Sequence, residues 1–297
     1  MARAYPPDVL VLDSAALIHA RVVKSKGSFS IQQAKSYRIP EGTIEPGVVT
    51  PQIVNEGALA EVLRRLKLET GRWDKASLLL PDSWFRINIL EMQALPDNPN
   101  EAQEILRWQL KRTMPIDAAA LRLAHEVISR GAQVKVLVVS AVEKTLVDLE
   151  RLFGAAGIDL VLIEPLGLNI WNAITFREPA TTRDRIFFYI REHDFTTAAF
   201  RGAQPLFIRS RNLNGERSLA QEIKLSASYL RDTLQTSAIE NCYLAGNGVD
   251  EALPATIAEE FDAPVRTLAL SDVAEQTPAG IGAYEAELAA ATGVFTG

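Results

Sequence analysis

The sequence predicts an α/β protein of two related lobes, with a small α+β module inserted into the first. Three observations lead there. A strand-and-turn segment opens each half, over 9–20 and again over 186–200. Helices follow each opening, their apolar residues recurring at spacings of three and four. Between the two, 82–157 has its own rhythm of strand, helix, two strands and helix. The expected division is 1–81 and 158–180 for the first lobe, 82–157 for the module and 183–297 for the second lobe.

Residues 9–23, rich in Val, Leu and Ile after Pro6-Pro7, read as a buried strand, a turn and a second strand, with a third over 29–38. Pro40, Gly42, Pro46 and Gly47 make 39–50 a loop. A helix is expected from Pro51 with Ile53, Leu59, Val62, Leu63 and Leu66 on its core face, then a short strand, 77–80, stopped by Pro81. In the module, 85–90 alternates as a half-buried strand. Asn98-Pro99-Asn100-Glu101 then offers a cap, a first-turn proline and a capping-box acid for a helix closed by Pro115. Strands over 123–128 and 134–142 pair across Gly131, and a helix over 143–156 stops at Gly157. Residues 158–176 return to strand and helix, and 178–183 form a linker. The second half adds a strand at 205–209, a turn at Asn214-Gly215 and a helix from Glu216 carrying Leu219, Ile223, Ala227, Leu230 and Leu234. A strand at 241–245, a tight Gly246-Asn247-Gly248 turn and helices over 253–261 and 284–292 complete it.

At 297 residues, 47% apolar and 23% charged, the chain can bury a substantial core. A net charge of -6 and a pI near 5.3 give no basic field for nucleic acid. Cys242, the single cysteine, excludes an intrachain disulfide and reads as a small buried hydrophobe; no metal site is expected. No window approaches the roughly 18 uninterrupted apolar residues of a spanning helix, and 1–7 lack a signal-peptide core. A cytoplasmic location without direct membrane insertion is expected. His19, His125 and His193 have no partner at catalytic spacing, and Trp73, Trp84, Trp108 and Trp171 read as core or interface anchors, so no catalytic residue is expected.

The turns of the two hairpins carry what chemistry there is. A phosphate-gripping hairpin needs an Asp to order metal and water, then Gly and Ser/Thr so that backbone N–H groups approach phosphate oxygens. In Asp13-Ser14-Ala15-Ala16-Leu17-Ile18 the acid is present, but Ala15 stands where Gly is wanted and Leu17-Ile18 where hydroxyls are. In Tyr189-Ile190-Arg191-Glu192 the acid reads as Tyr189 and the glycine as Arg191. Asp13 alone is expected to cap local N–H groups, and Arg191 and Glu192 to form a solvated hairpin tip.

The chain resembles the PilM family, actin-like cytoplasmic components of type IV pilus machines, and more distantly FtsA. The residues that carry the resemblance are Val9-Leu10-Val11-Leu12-Asp13, Met114-Pro115-Ile116, Ala155-Ala156-Gly157-Ile158 leading to Glu164-Pro165-Leu166, Asn214-Gly215, Leu244-Ala245-Gly246-Asn247-Gly248 and Ala291-Thr292-Gly293. They span nearly the whole chain in the right order. GspL and MshI are similar relatives. The resemblance implies an actin-like, duplicated RNase H-like fold. It also places a degenerate nucleotide cleft at Asp13, Ser14, Gly215, Gly246, Asn247 and Gly248, the two glycines of the last turn lying where the family packs backbone against adenine and ribose. The chain departs from the family in its degraded turns and in a shortened second lobe, since the helix from Glu216 runs straight into the strand at Asn241.

The resemblance further implies a non-catalytic scaffold, a pseudo-ATPase without a bound cofactor, that binds the N-terminal cytoplasmic tail of a bitopic inner-membrane partner like PilN. The junction of module and first lobe is the groove expected to take that extended peptide. The alternative is an actin-like protein that binds ATP and magnesium through divergent phosphate loops. The sequence leaves self-association open.

Overall fold

The first lobe begins with β1 (Asp8–Leu12), β2 (Ala16–Ser25) and β3 (Ser28–Arg38). This computed structural model describes residues 5–25, 27–45, 52–112, 117–178, 181–192, 194–202, 204–213, 218–234, 239–278 and 282–296. After the small pair β4 (Ile44–Glu45) and β5 (Gln52–Ile53), Asn55 accepts the Ala58 N–H at 3.0 Å and starts α1 (Glu56–Thr70), later than the expected Pro51 because the cap lies there. β6 (Lys75–Leu80) follows.

The module then departs from the end of β6. Its β7 (Arg86–Met92), β8 (Leu121–Arg130) and β9 (Val134–Val142) form an antiparallel sheet in the order β7-β9-β8, and α2 (Pro99–Lys111) covers one face. Ala102, Leu106 and Leu110 of α2 bury against Leu121, Val136 and Val138, a core separate from those of the lobes. The chain returns to the first lobe through α3 (Glu143–Ala155), β10 (Asp159–Pro165) and α4 (Leu166–Arg177). The sequence reading grouped α3 with the module. Its Leu146, Leu149, Leu152 and Phe153 instead pack with Leu59, Leu63 and Leu66 of α1 on the first lobe's sheet.

The second lobe repeats the plan: β11 (Asp184–Ile190), β12 (Asp194–Arg201), β13 (Gln204–Asn212), α5 (Leu219–Leu234), β14 (Ile239–Ala245), α6 (Leu253–Phe261), β15 (Val265–Thr267) and α7 (Glu285–Gly293). The two sheets have the same order, β3-β2-β1-β6-β10 and β13-β12-β11-β14-β15. Strand directions match too, with three antiparallel strands followed by parallel β6 and β10 or β14 and β15. This is one α/β unit given twice, with α1, α3 and α4 corresponding to α5, α6 and α7. Only 235–238 separate α5 from β14.

α4 and α7 lie between the sheets and join the lobes. Leu166, Ile170 and Trp171 meet Leu288, Ala290 and Ala291 in a shared core that also takes Val9 and Val11 from one sheet and Phe187 and Tyr189 from the other. The helices approach so closely that a Cβ on Gly293 would sit 1.9 Å from the Asn169 carbonyl oxygen. That contact gives the Ala291-Thr292-Gly293 segment its physical reason. Among the described residues no helix is long and apolar enough to cross a membrane.

Candidate functional site

The two hairpin turns face each other across the lobe junction. The Asp13 N–H donates to the Ala16 carbonyl at 3.0 Å and the Arg191 N–H to the Asp194 carbonyl at 2.8 Å, so the turns close in the same way. Asp13 and Arg191 therefore hold equivalent positions in the duplicated unit. This corrects the sequence alignment, in which Tyr189 took the place of the acid and Arg191 that of the glycine; the register is offset by two. Leu17 and Ile18, read as replacements for phosphate-binding hydroxyls, are buried core residues of β2.

Asp13 is buried, and its Oδ1 accepts the N–H groups of Ala15 at 2.6 Å and Ala16 at 2.8 Å, the capping role expected of it. Its Oδ2 accepts a charged hydrogen bond from Nη2 of Arg191. Arg191 Nε lies 3.7 Å from Glu287 Oε1 of α7, and the Tyr189 hydroxyl donates to that same oxygen at 3.4 Å. Side-chain exposures of 13% for Arg191, 6% for Asp13 and 1% for Glu287 mark a largely dry ion cluster. Burial works against the Arg191 cation, but Tyr189, Asp13 and Glu287 outweigh it and hold the pKa above its ordinary value. Burial also raises Glu287, opposed by Arg191. The expectation of a solvated tip thus fails at Arg191, whose side chain turns inward to two carboxylates; Glu192 beside it is exposed.

A cleft of about 500 Å³ opens over these groups, lined among others by Asp13, Ser14, Arg191, Glu192, Asn247 and Tyr284. Ser14 is exposed at its rim. Gly246, at φ +114°, and Gly248 leave room that the second hairpin fills: a Cβ on Gly246 would lie 1.9 Å from the Ile190 carbonyl oxygen, and the Gly248 N–H donates to that oxygen at 3.1 Å. Gly215, Asn214, His193 and 114–116 lie outside the described residues. The Arg191 guanidinium already pairs with Asp13, one of four acids lining the cleft with Glu45, Glu192 and Asp194, and backbone of the second hairpin occupies the space beside both glycines.

Two residues escaped the sequence reading. Glu287 lies with Glu285 in the first turn of α7, where an acid is ordinary, so nothing local marks it as buried; the tertiary fold alone does. Asp82 follows β6 at the lobe junction, fully buried, with Oδ1 accepting the Gly167 N–H at the start of α4 at 2.8 Å; burial pushes its carboxyl up to about 6. Among the remaining notable residues, His19 bonds buried Asp8 at 2.8 Å and stacks on Trp73, and burial pushes the Cys242 thiol up to about 12.

A second concavity, about 650 Å³, runs between the module and both lobes. One wall is β8, the outer strand of the module sheet; another is β10, the outer strand of the first lobe's sheet, with α4 as floor. Phe200 and Pro205 of the second lobe close one end. Phe200 stacks on Trp171 of α4 with ring centroids 4.0 Å apart. The charged groups along the groove are acidic, Glu126 and Glu164, with no Lys or Arg among its lining residues. Burial raises the Glu164 carboxyl, which accepts a bond from the Asn169 amide at 2.9 Å.

Duplicated five-stranded sheets, a junction of paired helices and facing hairpin turns define the actin-like ATPase fold. In shape the chain is similar to one from a PilM-PilN type IV pilus biogenesis complex, at a TM-score of 0.80 and 20% identity, covering 98% of this chain and 97% of that one. A Bacteroides thetaiotaomicron protein of actin-like ATPase fold and unknown function matches at 0.55 and 9% identity over 90% and 91%. The cytoplasmic domain of EpsL, an inner-membrane component of the Vibrio cholerae type II secretion system, matches at 0.53 and 12% identity over 98% and 94%. No protein-family model matches the sequence, and no curated protein does.

Proposed function

We propose that this chain is a cytoplasmic scaffold of a type IV pilus or related secretion machine. It holds an extended segment of a bitopic inner-membrane partner, PilN-like, and is itself non-catalytic. The groove between β8 and β10 carries the reading. Two outer strands with unpaired edges among the described residues flank it, so an extended backbone can add to either, while half-buried Val127, Leu162 and Leu168 supply apolar surface. The acidic lining favours a segment bearing a Lys or Arg. The PilM-PilN complex, whose structure is similar over nearly the whole chain, supports the choice of partner. The Arg191 cluster supports the absence of catalysis. Peptides covering the cytoplasmic tail of a PilN-like membrane protein should bind at micromolar concentration or tighter and protect β8 and β10 from amide exchange; binding no better than a scrambled tail would sink the reading.

A second reading, an ATP-binding protein with divergent phosphate turns, draws on the 500 Å³ cleft and on Asp13. A ligand present at about a hundred times its dissociation constant adds about 2.7 kcal/mol of stability. A melting temperature unmoved by millimolar Mg-ATP rejects this reading, and a rise that grows with ligand concentration favours it over the first.

A further inference from the structure

The duplicated unit brings the same turn position twice to the lobe junction, as Asp13 and as Arg191. Two acids there would repel at contact distance and hold together only around a cation. Here one copy supplies the cation itself. Its guanidinium joins the first lobe through Asp13 and the inter-lobe helix α7 through Glu287, and all three side chains are nearly dry. The groove is sensitive to the same junction, because its walls come from the module, from β10 and α4 of the first lobe and from Phe200 and Pro205 of the second. Any rotation of one lobe on the other slides Phe200 across Trp171 and changes the groove's width.

We propose that Arg191 is a resident counter-ion that takes the place of a metal-bound phosphate, holding the lobes closed with no ligand in the cleft and so keeping the groove in its binding shape. The second half of this statement rests on the groove reading given above; the first half does not. On top of the shared core of α4 and α7, the Arg191 pair holds the cleft side of the junction shut, so lobe closure in this chain does not respond to nucleotide.

Spin labels on two exposed positions, Leu68→Cys on α1 and Ala255→Cys on α6, report the distance between the lobes; buried Cys242 is not labelled. The unsubstituted cleft should give one narrow distance, unchanged by Mg-ATP. Arg191→Gln, which removes the charge, should broaden or lengthen it, and Arg191→Lys should restore it. Should Arg191→Gln fail to fold, Asp13→Asn breaks the same pair from the other side and keeps the oxygen that caps Ala15 and Ala16. In parallel, tail-peptide affinity should fall about tenfold with Arg191→Gln, a coupling typical of linked sites. Folded Arg191→Gln or Asp13→Asn with the original distance overturns the lock. A lengthened distance with unchanged peptide affinity overturns its link to the groove. Absence of peptide binding by the unsubstituted chain overturns the groove reading, and the distance measurement still decides the lock.

Discussion

Arg191 and Asp13, 178 residues apart, are the same residue of a repeated hairpin, and they bond to each other across the axis that relates the repeats. An ion pair between equivalent positions can arise in no symmetric dimer of identical chains. It requires the duplicated halves to have diverged in charge at that one place. The pair is therefore a mark of lobes that have become obligate partners in this chain.

Breaking it by removing one partner should be expensive, because the other charge stays buried. Arg191→Met is expected to cost about 3 kcal/mol in urea unfolding, within the range for a buried pair stripped of one member. The double variant Asp13→Asn with Arg191→Met should cost clearly less than the two single changes added together, a coupling that a double-mutant cycle measures directly. Additive costs would place the two side chains out of energetic contact.

Much of this fold was legible in the sequence. The hairpins at 9–20 and 186–200, the helix carrying Leu219, Ile223, Ala227 and Leu230, and the Asn98 cap all express local rules of period and capping; the hairpins and the cap appear where those rules put them, while the helix begins at Leu219, past the expected Glu216, because Ser218 caps it. The site was legible at Asp13, whose capping of Ala15 and Ala16 is also local. What escaped depends on the tertiary fold. Nothing local says that Arg191 turns inward, because its partners are supplied by a strand end 178 residues away and by α7. The two-residue offset between the turns follows from the closing bonds Asp13 to Ala16 and Arg191 to Asp194, which residue types alone do not reveal. β15 went unnoticed because three residues are too few to show a period.

Asp82 should give the stability of the lobe junction a pH dependence. Its folded pKa, about 6, lies above the ordinary aspartate value of 3.8, so the folded state binds the proton more tightly than the unfolded chain does. The charged form is the costly one: stability at Asp82 falls as pH rises from about 4 through about 6. A shift of this size corresponds to about 3 kcal/mol between the two ends of that window. Glu164 and Glu287, also raised by burial, act in the same direction. The diagnostic quantity is therefore a difference: Asp82→Asn, which keeps an acceptor for the Gly167 N–H, should flatten the pH profile of urea unfolding between pH 4 and 7 relative to the unsubstituted chain. An unchanged slope would assign the dependence to other groups.

Gly293 sets how closely α4 and α7 approach. An alanine methyl there would overlap the Asn169 carbonyl oxygen, and backbone on a helix cannot rotate away as a flexible side chain can. Gly293→Ala should force the helices apart and cost about 3 kcal/mol, at the upper end for overpacking a tight contact. Gly57→Ala in α1, where the added methyl meets nothing closer than 3.7 Å, is the control expected to leave stability unchanged or slightly raised. A thermal unfolding comparison that ranked the two alike would show that the inter-helix gap relaxes freely.

Glu164 offers the sharpest test of what the groove takes. It stands at the end of β10 with one amide from Asn169 for company, in a lining without Lys or Arg. A carboxylate so placed is short of counter-charge, and a Lys or Arg on the incoming segment supplies it as a charge-assisted hydrogen bond. Glu164→Gln keeps the shape and removes the charge, so binding of a cation-bearing tail peptide should weaken by about 1–2 kcal/mol, read by calorimetry. Because burial raises the Glu164 pKa, acidification protonates it before an exposed glutamate, and affinity for that peptide should fall as pH drops, with the slope reduced in Glu164→Gln. The same peptide with its Lys or Arg replaced by Gln should bind both proteins equally. If it discriminated between them as strongly as the charged peptide does, Glu164 would be acting through groove shape and not through charge.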